Sequence, residues 1–147
     1  MAQSYTKIWI HAVWTTKDKK PIIYPKIERR LLKFLSDELN TMDCHVKIIN
    51  AMPEHVHCLF LLNPQISLSN VMKNIKGGSS HFVNYHNLIK EKFSWQNGYS
   101  AFAVSDSLIN RTIALIQNQK TFHKLFTFET ELNNLFESHQ IETYQYK

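Results

Sequence analysis

Residues 5–14, YTKIWIHAVW, alternate in character: Ile8, Ile10, Ala12 and Trp14 share one side, and Lys7, Trp9, His11 and Val13 the other. Successive strand side chains point to opposite faces, so the pattern predicts a strand with one face on a core. The next stretch, TTKDKKPIIYP, is a basic loop punctuated by Pro21 and Pro25. Over 26–42 the apolar residues Ile27, Leu31, Phe34, Leu35 and Met42 recur at helical spacing with charges opposite, which predicts a helix. Residues 44–51 and 55–62 predict two further strands. Pro53 breaks the ladder between them, because it has no N–H to donate, and the short connection suits a hairpin. Ser67 caps a predicted helix to about Lys90, interrupted by Gly77-Gly78, where a kink or a close backbone approach is expected. WQNGY is a turn, 99–104 a fourth strand, 107–124 a helix, and Thr127 opens a last helix to about His139 with Glu129 and Glu131 in its first turn.

The order β-α-β-β-α-β-α-α places the chain in the α+β class. The expected fold is a ferredoxin-like β-α-β-β-α-β antiparallel sheet with helices on one face, plus two C-terminal helices. At 147 residues, without internal repeat or linker, 1–147 reads as a single domain able to fold without disulfide or zinc. Cys44 and Cys58 lie in apolar strand-like stretches and imply no disulfide framework. No apolar run approaches the ~18 residues of a membrane span, and the N-terminus lacks a signal peptide's basic start and apolar core. A cytoplasmic protein with no membrane partner is the expectation.

The charge is localised. Residues 17–33 hold seven basic and two acidic groups, which accounts for the whole net charge of +5. Such a patch suits a polyanion through local attraction and counterion release; it equally suits a solvated loop and helix face.

Candidate chemistry centres on His55 and His57. Two apart on a strand, they project from one face, while Val56, Cys58, Phe60 and Leu62 form a core row on the other. Neutral imidazoles side by side can chelate a divalent ion, but two ligands alone do not make a catalytic site, and His-x-His is no rarity in a chain with eight histidines. Gln119, on the 107–124 helix, offers a hard carbonyl oxygen suited to Mg²⁺ or Mn²⁺; it also reads as an exposed helical residue.

Several motifs together resemble a family: Pro53-Glu54-His55-Val56-His57, Ile75-Lys76-Gly77-Gly78-Ser79-Ser80, Trp95-Gln96-Asn97-Gly98-Tyr99, and Ile116-Gln117-Asn118-Gln119 followed by His123, with the opening IHAVWTTKDKK. In this order and spacing, over about 5–143, the chain resembles the single-tyrosine HUH transposases of the insertion sequence 200/605 type, the TnpA group with its REP-associated relatives. The resemblance implies a homodimer that recognises DNA hairpins and single-stranded element ends. It also implies strand cutting and joining, in which a helix-borne Tyr forms a 5′-phosphotyrosine and leaves a free 3′-OH. A divalent metal, Mg²⁺ or Mn²⁺, polarises the phosphate.

Carried onto this chain, the resemblance makes His55, His57 and Gln119 the metal ligands. It places the nucleophile four residues before Gln119, at Leu115, where the family has Tyr. An alkyl side chain has no nucleophilic atom, so the family's covalent step is expected to be lost. No other tyrosine (Tyr5, Tyr24, Tyr85, Tyr99, Tyr144 or Tyr146) falls on the 107–124 helix, although Tyr144 and Tyr146 sit on a tail that can in principle swing in. Thr112 shares the relevant face without a base beside it. For DNA contact the candidates are Lys17, Lys19, Lys20, Lys73 and Lys76, with Gly77 and Gly78 for close backbone approach and Ser79 and Ser80 as phosphate donors. Trp9 is a weaker candidate for base stacking and Trp14 a core residue. Arg29, Arg30 and Lys33 read as a solvated helix face. The alternative to a transposase is a non-catalytic hairpin or single-stranded DNA-binding regulator descended from one; a ferredoxin-like interaction protein without a DNA role is a third.

Overall fold

The hairpin at the centre of the fold follows from Pro53. Strand β2 (Val46–Met52) stops at the proline, and β3 (His55–Leu61) returns antiparallel with Met52 opposite His55. A computed structural model describes residues 3–121 and 127–139. In it β3 pairs on its other side with β1 (Trp9–Thr15), and β1 with β4 (Ser100–Val104), giving the antiparallel order β2-β3-β1-β4. This is the expected ferredoxin-like sheet.

Helices α1 (Pro25–Thr41) and α2 (Leu68–Tyr85) cover one face. Ile10, Ala12 and Trp14 of β1 meet Val56, Cys58 and Phe60 of β3 there, under Leu31, Leu35 and Leu39 of α1 and Val71, Met72 and Ile75 of α2. Fully burying one such large apolar side chain is worth roughly 1.5–3 kcal/mol, so this row dominates the stability of the domain. Helix α2 starts where predicted, with Ser67 Oγ accepting from the Asn70 N–H at 3.1 Å. It runs through Gly77-Gly78 without a break. The expected close approach falls at Gly78, where a Cβ would stand 3.4 Å from the Phe34 ring of α1.

Helix α2 ends at Tyr85 rather than near Lys90, because Asn87 takes a left-handed φ of 50°. The Leu88 N–H then closes on the Val83 carbonyl at 3.1 Å and the Asn87 N–H on Asn84 at 3.2 Å, satisfying the last carbonyls. Asp43 (φ 55°) stops α1 in the same way.

The other face of the sheet is also covered, by α3 (Ile109–Gln117) and α4 (Phe128–Ser138). Ile116 of α3 packs with Trp9, Leu59 and Val104, and Leu135 of α4 with Val13 and Phe102. The strand expected to bury one face therefore buries both. Trp9 is only 8% exposed beneath α3, which removes it as a stacking platform for bases. The helix expected over 107–124 is also divided. A short 3-10 turn, Asp106–Leu108, precedes α3, and Asn118 leaves helical geometry (φ −97°, ψ 15°) at its end. Helix α4 begins at Thr127 as predicted, the Thr127 side chain accepting from the Thr130 N–H. Among the described residues no helix is long and apolar enough to cross a membrane.

Candidate metal and nucleic-acid site

The alternation that sends Val56 and Cys58 into the core sends His55 and His57 to the opposite face, under α3 and α4. Both rings are fully or almost fully buried. Each has its Nδ1 already engaged. His55 Nδ1 lies 2.9 Å from Glu54 Oε1, and His57 Nδ1 lies 2.8 Å from His11 Nε2. Orientation of an imidazole by a partner on one nitrogen is how proteins present the other nitrogen to a metal. Here both Nε2 atoms turn toward the same small volume.

Gln119 reaches that volume from just beyond α3. Its Oε1 is 3.3 Å from His55 Nε2, and its side chain is 1% exposed rather than solvated. Asn50 of β2 sets the height of this segment: its Nδ2 donates to the Ile116 carbonyl at 3.0 Å, capping the last turn of α3. A fourth side chain enters from α4. Glu131 Oε1 lies 2.8 Å from His57 Nε2, Glu131 Oε2 lies 4.0 Å from His55 Nε2, and the Gln119 amide donates to Glu131. Atoms of His55, His57 and Glu131 all lie within 4.8 Å of one another.

This donor set fits a divalent ion. His57 Nε2 is buried, and despite the nearby carboxylate it has no aligned hydrogen-bond partner among the described residues. A buried polar atom left unpaired costs roughly 1–3 kcal/mol, a cost that ligation would remove. Burial holds the His57 pKa below its ordinary value even though Glu131 pulls it upward, so the ring is neutral and its lone pair is free to ligate. Burial pushes His11 well below its ordinary value, with His57 and His139 adding to the effect. Burial raises the Glu131 carboxyl, but its close contact and charge interaction with His57, its hydrogen bond from Gln119 and the charge interaction with His55 outweigh this and leave it lowered, hence ionised.

A cavity of about 450 Å³ opens beside this group, between β4, α3 and α4. Leu115, Gln119 and Glu131 lie on its wall together with Thr112, Arg111 and His139. Leu115 and Gln119 thus face one space, as the four-residue interval suggests, although the helix breaks between them. Leu115 also packs against the Trp9–Leu59–Val104–Ile116 cluster. The Thr112 hydroxyl is tied to the Leu108 carbonyl at 2.9 Å, and Tyr24 to Glu91 at 2.6 Å. His123, Tyr144 and Tyr146 lie outside the described residues.

The nucleic-acid candidates divide into two groups. Lys17, Lys19 and Lys20 occupy the turn after β1, held in left-handed conformation at Asp18 and Lys19. Lys19 pairs with Glu129 at 3.0 Å and lies over Phe128, whose ring is 4.4 Å from that of His55; this group borders the His55–His57–Glu131 cluster. Lys73, Lys76, Gly77, Gly78, Ser79 and Ser80 are all on α2, across the sheet from it. Within that second group Ser79 is fully buried, donating to the Lys76 carbonyl and accepting from Trp95 Nε1 at 2.8 Å, so its hydroxyl is not presented to a phosphate. Lys76 donates to the Gln96 and Gly98 carbonyls and clamps the WQNGY turn, and burial lowers its pKa. Gly78 lies under Phe34, and Ser80 donates to the Gly77 carbonyl; Gly77 and Lys73 are exposed.

Three functional residues carried no clear sequence signal. Glu131 reads from sequence as a first-turn acid favoured by the helix dipole. Asn50 reads as an ordinary strand residue, and Glu54 enters only as a member of the Pro53–His57 motif without a role of its own. Glu131 and Asn50 act through tertiary neighbours that spacing does not reveal, whereas Glu54 engages the ring of the residue next to it in the chain.

A four-stranded antiparallel sheet presents two strand histidines and a glutamine beneath C-terminal helices, an α+β arrangement whose clustered His55, His57 and Glu131 could hold a divalent ion. Residues 4–119 match the family of IS200-like transposases, and the chain belongs to that family. It is 28% identical over 115 residues to the ISDra2 transposase TnpA of Deinococcus radiodurans, covering 74% of this chain and 81% of that protein. Its fold is similar to the crystal structure of a transposase from D. radiodurans R1, with a TM-score of 0.65 and 22% identity over 81% of this chain and 96% of the other. It is also similar to a REP-associated tyrosine transposase bound to a REP hairpin, with a TM-score of 0.62 and 16% identity over 84% and 73% of the two chains.

Proposed function

We propose that this chain is a DNA-binding transposase homologue of the insertion sequence 200/605 type that has lost the family's tyrosine chemistry. It binds DNA hairpins and single-stranded element ends as a homodimer, and it holds Mg²⁺ or Mn²⁺ on His55, His57 and Gln119. The observation that carries the proposal is the convergence of the two buried imidazoles and Gln119 on one volume, with Leu115 on the wall of the adjoining cavity.

A divalent ion bound there supplies Lewis-acid polarisation of a phosphoryl oxygen. The chain's own residues do the rest. Glu54 and His11 fix the ring planes of His55 and His57. Lys17, Lys19 and Lys20 supply positive charge at the edge of the site, and exposed Lys73 supplies it on the opposite layer. The hairpin-bound relative supports the DNA class of ligand. At the position where a phenol oxygen is required, Leu115 offers only methyl groups.

The Leu115→Tyr variant tests the proposal. The cavity gives the larger ring space, so the variant is expected to form a metal-dependent 5′ covalent adduct with a cognate hairpin-flanked single strand. The natural chain is expected to form none; an adduct from it overturns the lost-nucleophile reading. The packing of Leu115 into an apolar cluster favours, as a second reading, a regulator that only occupies DNA. That reading predicts full DNA affinity for His55→Ala in EDTA.

A further inference from the structure

We infer that Glu131 is a fourth protein ligand of this site, so that the bound metal fastens α4 to β3 and to the segment carrying Gln119. The inference rests on the metal reading above and adds to it a carboxylate from a different helix.

The geometry favours ligation over an ordinary ion pair. One carboxylate oxygen of Glu131 is 2.8 Å from His57 Nε2, and the other is 4.0 Å from His55 Nε2. The carboxylate therefore faces the Nε2 atoms of both rings, on the side away from the Glu54 and His11 contacts at Nδ1. The approach to His57 Nε2 lacks the alignment of a hydrogen bond, as expected where a short gap holds two ligand atoms rather than a donor and an acceptor. The neighbouring acid Glu129 makes a useful contrast: its side chain is 77% exposed and pairs with Lys19, while that of Glu131 is 11% exposed. The two residues share a helical turn and differ in what they face.

The consequences are specific. Two imidazoles and an amide are neutral ligands; a carboxylate brings the charge of a dication site down to about +1 and tightens its hold. Four protein donors saturate a tetrahedral ion but leave two positions on an octahedral one, enough for phosphate oxygens. The site thus suits an octahedral ion of the Mg²⁺ or Mn²⁺ kind. Because α4 follows residues 122–126 in the chain, ligation by Glu131 couples metal binding to the docking of residues 128–138.

Mn²⁺ titration of the full chain tests this, with free aqueous Mn²⁺ quantified by its electron paramagnetic resonance signal. Glu131→Gln is expected to weaken Mn²⁺ binding at least ~10-fold, Glu129→Gln to leave it unchanged, and His57→Ala to abolish it. Unchanged affinity in Glu131→Gln overturns the inference while leaving the histidine site standing. Unchanged affinity in His57→Ala overturns both. A second measurement needs no variant: Mn²⁺ is expected to slow amide hydrogen exchange across 128–138 in the natural chain. Absence of that protection at saturating Mn²⁺ also overturns the inference.

Discussion

His11 Nε2 lies 2.8 Å from His57 Nδ1, joining neighbouring strands β1 and β3 behind the His55–His57–Glu131 cluster. For His57 Nε2 to ligate, the ring's proton must be on Nδ1 and must be donated to His11. His11 therefore accepts at Nε2 and carries its own proton on Nδ1, which requires a neutral ring. Its burial and strongly lowered pKa provide that. His11→Ala is expected to weaken Mn²⁺ binding ~10–100-fold by freeing the His57 ring. His11→Gln, which keeps an acceptor, should recover part of the loss. Equal affinity in His11→Ala and the natural chain would remove His11 from the site.

The fold was legible because its signals are local. Period-two alternation marked β1 and β3, Pro53 marked the hairpin, and Ser67 and Thr127 marked helix starts that the structure reproduces. The burial of the second sheet face was harder to read. Trp9, His11 and Val13 look like an ordinary mixed face until α3 and α4 are placed over them. The same limit applies to the site. The His pair and its shared face are encoded in one strand, but Glu131 joins it from 74 residues beyond His57 in the chain. Only packing brings them together. Lys76 and Ser79 went the other way: residue types that suit phosphate are used instead to hold the WQNGY turn.

Acid should destabilise the metal-free protein well before its surface carboxylates titrate. His11 and His57 have folded pKa values below the unfolded value of about 6.5, so below that pH the unfolded chain binds protons that the folded chain refuses. Their contribution is fully present above about pH 6.5 and falls by up to about 1.4 kcal/mol per pH unit for each ring as pH drops toward the folded values. Glu131, whose folded pKa is also lowered, adds a loss of the same sign below about pH 4.5. Urea denaturation in EDTA between about pH 7 and 5 should show this slope, and His11→Gln should flatten it. A stability independent of pH in that range would contradict the buried neutral pair.

Asn50 is expected to matter for metal binding more than for folding. Its amide caps the Ile116 carbonyl, three residues before Gln119. Removing a net hydrogen bond of this kind costs about 0.5–1.5 kcal/mol. In Asn50→Ala the end of α3 loses its tether to β2, and Gln119 loses its fixed height over His55. The expected result is a small shift in the urea midpoint with a several-fold loss of Mn²⁺ affinity. A large loss of stability with unchanged affinity would assign Asn50 to the core instead.

The lysines of α2 separate structural from electrostatic roles on one helix. Lys73 is exposed, whereas Lys76 spends its ammonium on two carbonyls of the turn before β4. Lys73→Ala should leave urea stability within about 0.5 kcal/mol and, if α2 meets DNA, reduce the salt slope of hairpin binding by about one. Lys76→Met should do the reverse. It leaves the solvent-exposed Gln96 and Gly98 carbonyls without their donor, so stability falls by about 0.5–1.5 kcal/mol per lost bond while the salt slope is kept. Ser79→Ala should resemble Lys76→Met, because it strands the buried Trp95 N–H. Hairpin titrations across a range of salt, run beside urea melts, distinguish the outcomes. A changed salt slope in Ser79→Ala at normal stability would return that hydroxyl to the DNA surface, and an unchanged slope in Lys73→Ala would confine DNA binding to the turn at Lys17, Lys19 and Lys20.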